Sequence, residues 1–494
     1  MTIHKKGLAA VFLSGFCLAL AQFFLAQEVT ALAMGSEMVI LLVTLSFFTG
    51  LSVGYKLADK LSLEALGWLA PGIFILHLSF PFSLRIISGY LSGFLPGLAL
   101  IVLLFLVIFT FVSFFSVVLP AFIDSSGGGK ALPVFYALEI LGFASGLGTV
   151  FALAGTQAWV MAVAYQIGMA LLVALILNRP VMYAITAGSA LAYGFISPEL
   201  DKRSLAYYYR TVKDIEVENV LSSVYSPYQK VDVFTASNKR RYIFLNGVMF
   251  YGSPSLSLFN FYLTRLPVEA LKPRNVLVMG SGTMQSVAYA SATAQRVTTV
   301  EIDPAVIAAS RKYFADINRV DKLPGWNLVI DDGKHYLASA TGKFDLIIVD
   351  IPAPYTIQTG LLYSEEFMRL AKERLNPGGA LSISLCGLLE SGRLMPRVVG
   401  QAIVSTFDKT LIYTPKGSPY SFALAGNDLS MSVDTLNDAA RKIGGDLSQT
   451  WNKDQARKII GQARPISWND VRFPVLTSMD RIIGWFTPPK GAGK

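Results

Sequence analysis

Four short apolar runs each end on a residue that can do chemistry. Asn275-Val-Leu-Val-Met279 runs into Gly280-Ser-Gly282, and Val297-Thr-Thr-Val300 ends on Glu301. Asn327-Leu-Val-Ile330 ends on Asp331-Asp332-Gly333, and Phe344-Asp-Leu-Ile-Ile-Val349 ends on Asp350. Runs of this kind read as parallel strands buried on both faces, and open α/β sheets bind ligands beyond the C-terminal ends of such strands. Gly280 and Gly282 let the backbone approach a ligand closely. Glu301 follows about 20 residues on, where an acidic side chain can accept from both hydroxyls of a ribose. Asp332, just before Gly333, is placed to accept an adenine amine.

The spacing predicts a Rossmann-like α/β domain of the class I methyltransferase type, over 271–487. A dinucleotide fold competes, but the third glycine of its fingerprint is missing, with Gln285 in its place. Two carboxylates have simpler readings. Asp303 before Pro304 suits a helix N-cap, and Asp331 suits a surface turn. The fifth strand is expected at 380–385, and 410–413 with 421–425 as a closing antiparallel pair. Within 466–485, Asp470 reads as a loop cap, and 488–494 as a disordered tail.

Ahead of this core, Gln229-Lys-Val-Asp-Val-Phe234 and Arg241-Tyr-Ile-Phe-Leu245 alternate in polarity. A turn at Ser237-Asn-Lys239 separates them, and Asn246-Gly247 is a hairpin signal. They predict a small β/lid unit over 226–270, reached through a juxtamembrane linker at 199–225.

Composition sets the rest of the architecture. The chain has 494 residues and is 53% hydrophobic, too long for one domain and too apolar for a soluble enzyme alone. Of its 42 Lys/Arg only seven lie in residues 1–198, and of its 33 Asp/Glu only six, leaving 35 against 27 and a net +8 for the remainder. This first part is expected to be a transmembrane helical domain of about seven spans: 7–25, 38–53, 66–87, 95–119, Leu132–Leu153, Ala158–Leu177 and a short 181–196. The first run follows Lys5 and Lys6 and lacks a clean cleavage pattern, so it reads as a span. A charge at Glu139, mid-span, needs a partner or a cavity, and His77 raises the same question. Gly142 and Gly146, four apart, have helix-contact spacing. The fold class is thus a multi-span membrane domain, a small β unit and a Rossmann-like domain.

Lys5, Lys6, Lys56, Lys60, Lys130 and Arg179 fall on one side of seven spans, which by the positive-inside rule would leave the second half outside. A nucleoside cofactor is made inside, so we expect a multi-pass cytoplasmic-membrane protein with its second half in the cytoplasm, and a re-entrant or interfacial segment, with 181–196 as the first suspect. Membrane lipid is the expected surroundings. No basic patch with interleaved aromatics points to nucleic acid. Two cysteines, Cys17 and Cys386, and three scattered histidines give neither a disulfide framework nor metal-ligand spacing, so no metal is expected.

The stretch 226–387 resembles the spermidine synthase (polyamine aminopropyltransferase) family. The resemblance rests on Tyr228-Gln229, Leu245-Asn-Gly-Val248, Val276-Leu-Val-Met-Gly-Ser-Gly282, Val300-Glu-Ile-Asp-Pro304, Val329-Ile-Asp-Asp-Gly333, Phe344-Asp-Leu-Ile-Ile-Val-Asp350, Tyr363-Ser-Glu-Glu-Phe367 and Leu375-Asn-Pro-Gly-Gly379. More loosely, Phe135-Tyr-Ala-Leu-Glu-Ile-Leu-Gly142 resembles the membrane segment fused to bacterial members. The resemblance implies decarboxylated S-adenosylmethionine as donor, a small-molecule amine as acceptor, and Asp350 as the base that takes the amine's proton. It implies that Gly280, Gly282, Glu301, Asp332, Gly333 and Gln229 hold the donor, and that Tyr228 and Tyr363 line the acceptor pocket. It leaves a homodimer open.

Departures from the pattern bear on substrate. Thr283 stands where the family has an Asp for the donor's terminal amine, and Ala353 where it has a second acidic residue. The lid reads Ser253-Pro-Ser-Leu-Ser-Leu-Phe-Asn260, without acidic or His contacts. The nucleoside end is kept while the polyamine end is rebuilt, which argues against ordinary putrescine specificity. Two other readings are a methyltransferase using S-adenosylmethionine itself and a non-catalytic nucleoside- or polyamine-sensing or transport-linked membrane protein.

Overall fold

The computed structural model describes residues 5–32, 35–58, 60–92, 97–125, 130–280, 282–470, 473 and 475. Asp59, Ser281, most of 471–485 and the expected tail at 488–494 lie outside the described residues. The chain divides into two compact units between Met249 and Phe250.

The first unit opens with eight helices: α1 (Lys5–Leu32), α2 (Glu37–Ala58), α3 (Leu63–Leu78), α4 (Phe82–Ser92), α5 (Gly97–Ser125), α6 (Leu132–Leu153), α7 (Ala158–Leu177) and α8 (Pro180–Lys213). Six are long and apolar enough to cross a membrane, and α3 with α4, bent by 71°, passes the same test as a pair. Side-chain contacts give each helix its direction. The backbone of Phe12 and Phe16 lies where β-carbons on Gly142 and Gly146 would fall, so α6 runs parallel to α1. The Gly142/Gly146 spacing is therefore a helix contact, with Gly15 completing it against the Glu139 backbone. Glu139 is buried and hydrogen-bonded to Tyr55, and His77 Nδ1 lies 2.5 Å from the Tyr165 hydroxyl.

α7 runs against α1, with Lys6 on Asn178 at one end and Phe24 against Tyr165 further along. α5 also runs against α1, Gly7 meeting Phe122 and Ser14 meeting Phe115. α2 runs with α5, Gly50 packing on Phe109 and Gly54 on Ser113. α4 follows α8, with Phe82 on Tyr193 and Gly89 against Tyr207. Among the described residues the helices thus run seven times along the bundle, with α3 and α4 as one bent pair. The expected 66–87 run is broken at this bent pair, while 181–196 lies within the unbroken α8. α8 continues through Pro198 to Lys213 instead of stopping at 196, because the polar turns after Pro198 pack on α4 and α1.

The stretch 199–225 is accordingly not a linker. It is the end of α8 followed by β1 (Val217–Tyr225). β1 joins β2 (Lys230–Ala236), β3 (Arg241–Leu245) and β4 (Val248–Gly252) in an antiparallel sheet of that order. Asn246 and Gly247 take φ of 47° and 69°, the conformation a tight hairpin needs. The sheet packs at the end of α1: Tyr208 of α8 donates to the Leu32 carbonyl at 3.0 Å, and a β-carbon on Gly247 would fall on the Ala31 carbonyl.

Five charged side chains are buried where bundle and sheet meet. Arg85 bridges Glu28 and Asp201, each at 2.6 Å, and Lys230 reaches Glu28 at 3.0 Å. Tyr225 also donates to Glu28, while Asp232 accepts from Ser223 at 2.7 Å and Tyr209 at 3.0 Å. None of the five side chains is more than 4% exposed.

The second unit is built on β5 (Asn275–Met279), β6 (Arg296–Glu301), β7 (Trp326–Ile330), β8 (Phe344–Val349), β9 (Leu375–Ser384), β10 (Lys409–Pro415), β11 (Phe422–Gly426) and β12 (Leu447–Asn452). The sheet order is β12-β10-β11-β9-β8-β5-β6-β7. β9, β8, β5, β6 and β7 are parallel, while β11, β10 and β12 are antiparallel. The expected closing pair is β10 with β11, and β12 is an addition on the edge. The strand order reverses between β5 and β8, and a crevice forms at such a switch point beyond the strand ends. Helices cover both faces: Leu277, Ile347 and Ile383 point into one apolar layer, and Val278, Ile348 and Leu424 into the other.

Candidate active site

Gly280 follows β5 and Asp350 follows β8, so the switch point brings them together. The Asp350 amide donates to the Met279 carbonyl at 2.8 Å, and the Gly280 amide to the Val300 carbonyl at 2.8 Å. A β-carbon on Gly280 would fall on the Asp350 carbonyl and the Ile351 side chain, and φ there is 76°. Only glycine lets these two strand ends approach so closely. Gly282, with φ of 46°, completes the turn.

Glu301 at the end of β6 fastens that turn. Its Oε2 accepts the Gly282 amide at 3.2 Å and its Oε1 the Asp303 amide at 3.0 Å. Asp303 is the N-cap of the helix beginning at Pro304, accepting from Ala305 at 3.0 Å.

Asp332 caps the helix Gly333–Ser339, its Oδ1 accepting the His335 amide at 2.9 Å. Asp331 holds the His335 ring at 2.8 Å and accepts the Asp332 amide, which is a turn-bracing role. Gly333 packs on Met279, where a β-carbon would come within 2.7 Å of the methyl group.

Asp350 is buried, and its Oδ2 accepts from Asn260 Nδ2 and from Ser286 Oγ, both at 2.7 Å. Asn260 Nδ2 and Thr264 Oγ1 lie 2.9 and 2.7 Å from Ser286 Oγ. Burial raises the Asp350 carboxyl to about 7, the two hydrogen bonds pulling it down and the charge of Glu301 adding to the rise. A carboxyl poised near neutrality between neutral donors is suited to take a proton from a reacting group. Neither Asn260 nor Ser286 stands out in the sequence, because they come from two other elements and their spacing from Asp350 carries no period. Asn260 belongs to the segment that reads there as a lid poor in contacts.

Tyr363 is 1% exposed, and its hydroxyl donates to the Ile351 carbonyl at 3.2 Å. It props the Ile351–Tyr355 loop. Thr283 is buried, its Oγ1 accepting from Gln285 at 2.6 Å. Tyr228 and Gln229 stand in the β1–β2 turn of the first unit, with Tyr228 47% exposed and the Gln229 amide on Ser226 Oγ at 2.9 Å. Among the described residues no three His, Cys, Asp or Glu side chains gather as a metal site.

Residues 259–389 match the family model described as the spermine/spermidine synthase domain. The polyamine aminopropyltransferase of Leptospira biflexa is 31% identical over 188 residues, 37% of this chain and 64% of that protein. Its counterpart in Thermoplasma volcanium is 27% identical over 168 residues, 33% of this chain and 61% of that protein. The match thus spans less than two thirds of these relatives' length. A solved spermidine synthase from Thermotoga maritima aligns over 50% of this chain and 85% of its own, at 19% identity and a TM-score of 0.41.

Proposed function

We propose that this chain, whose residues 259–389 carry a spermine/spermidine synthase domain, is a membrane-anchored transferase that moves an aminopropyl group from decarboxylated S-adenosylmethionine to an amine. The observation that carries this is Asp350: a buried carboxyl at the switch point, with two neutral donors on one oxygen and its ionisation near pH 7. An amine is protonated in water and cannot attack carbon until it loses a proton. Asp350 takes that proton. The freed nitrogen lone pair then forms a C–N bond to the propyl carbon attached to the sulfonium. The C–S bond breaks, its electron pair returns to sulfur, and neutral methylthioadenosine leaves.

Glu301 would hold the ribose hydroxyls and Asp332 the adenine amine, while Gly280, Gly282 and Gly333 let the donor lie against the backbone. Asn260 and Ser286 fix the direction of Asp350 so that its other oxygen faces the acceptor. Tyr363 acts on the acceptor through the loop it props. Membrane anchoring is supported by six helices of spanning length and apolarity, with a bent pair as a further crossing.

The test uses the full chain in nanodiscs with the decarboxylated donor and a panel of mono- and diamines. Methylthioadenosine release is expected with at least one amine. Asp350→Asn should lower it by about 100-fold or more while methylthioadenosine still binds by calorimetry. Turnover that survives in Asp350→Asn would overturn the assignment of the base.

A further inference from the structure

The turn that would carry the donor has an aromatic ring resting on it. Phe250 stands in β4, and a β-carbon on Gly282 would fall on its Cε1 and Cζ, so the ring lies directly against this glycine. Among the described residues, Glu301, Asp303 and Thr283 around this turn each have a protein partner. Glu301 receives the amides of Gly282 and Asp303, and Asp303 caps a helix. Thr283 is buried and tied to Gln285, whose Oε1 in turn takes the Ser257 amide. A nucleoside laid on the turn would therefore have its side chain meet the ring of Phe250 beside the amide-bound carboxylate of Glu301.

That side chain carries a sulfonium and a terminal ammonium. The face of an aromatic ring is electron-rich and attracts such cations, more strongly where water is excluded. We propose that Phe250 is the specificity-determining residue for the donor's cationic side chain, taking it on the ring face in place of an acidic side chain. The proposal rests on decarboxylated S-adenosylmethionine as the donor class. Gly282 has no side chain to pin the ring, so rotation about the Phe250 side-chain bonds lifts it over an incoming donor. The same ring has no charge to meet in methylthioadenosine, which is neutral at sulfur and lacks the propyl ammonium. Phe250 therefore separates donor from product: it holds the first and contributes little to the second.

The experiment measures calorimetric affinity of the full chain in nanodiscs for decarboxylated S-adenosylmethionine and for methylthioadenosine. Phe250→Leu, which keeps the apolar bulk and removes the ring, should weaken donor binding about tenfold. Methylthioadenosine should change by less than about twofold, and Phe250→Tyr should bind both ligands about as the parent does. Equal weakening of both ligands in Phe250→Leu would reduce the ring to a packing element and overturn the proposal. Unchanged donor binding would remove the ring from the site altogether. If the parent binds neither ligand, the donor class itself fails. Parent binding of both with no difference in Phe250→Leu leaves the donor class standing and sinks only the role of Phe250.

Discussion

The Asp350 carboxyl keeps its proton to about pH 7 in the folded chain, whereas an unfolded aspartate loses it at about 3.9. As a base it must be ionised, so the rate at low substrate should climb as pH rises through about 7 and level above it. Asn260→Ala removes a donor that favours the ionised form, so the climb should move to higher pH, a shift read from the pH–rate profile. For stability, the folded state gains from the neutral carboxyl below the unfolded value and loses that advantage as pH rises to the folded one. Asp350→Asn should therefore raise the thermal midpoint at pH 8 by the equivalent of roughly 2–4 kcal/mol, with the gap closing at pH 4. A gap of equal size at both pH values would mean that burial is not what perturbs this carboxyl.

Between elements, two contacts hold the first unit together for different physical reasons. α1 and α6 touch through Gly15, Gly142 and Gly146, whose missing side chains let backbone meet backbone. Gly142→Leu should force them apart, seen as loss of the monodisperse peak in detergent. The second contact is the charge cluster of Glu28, Arg85, Asp201, Lys230 and Asp232, which fastens β1 and β2 to α1, α4 and α8. Desolvation makes such a cluster expensive to build and more expensive to break, because a lone buried charge has no water to turn to. Arg85→Met should cost about 3–5 kcal/mol. The double variant Glu28→Gln with Arg85→Met should recover part of it, since fewer unmatched charges remain. Additive losses in the thermal midpoints would show that the two groups do not act as a pair.

Over the full length of the chain, seven traverses put the start of α1 and the small sheet at opposite ends of the bundle. Lys5, Lys6, Lys56, Lys60, Lys130 and Arg179 all lie at the end where α1 begins. If the bundle spans a membrane, the positive-inside rule would turn that end to the cytoplasm and the small sheet to the other side. A cytoplasmic second half requires instead that all six face outward. We propose the second arrangement, because a donor made inside the cell has to reach the site. Asp438→Cys, at an exposed helix position, should then be protected from a membrane-impermeant maleimide in intact cells and react in inverted vesicles. Labelling in intact cells would overturn this orientation and return the chain to the positive-inside rule.

What the sequence settled by itself is local or periodic. The strand ends at Gly280, Glu301, Asp332 and Asp350 were legible because a parallel strand buried on both faces must be a short apolar run, closed by a polar residue or a glycine. Asn246-Gly247 was legible because few residue pairs tolerate both positive φ angles. The cap at Asp303 comes from a side chain that reaches only two residues along the chain, whereas the cap at Asp332 was found only in the structure. Tertiary structure alone decided the rest. β1 mixes polar and apolar residues and the far half of α8 is mostly polar, and they are ordered by burying Tyr225 and Asp201 against Glu28 and Arg85, more than 100 residues away. The partners of Asp350 come from residues 260 and 286, and the ring on Gly282 from residue 250. No propensity or spacing links such positions, because what joins them is the folding of separate elements around one strand reversal.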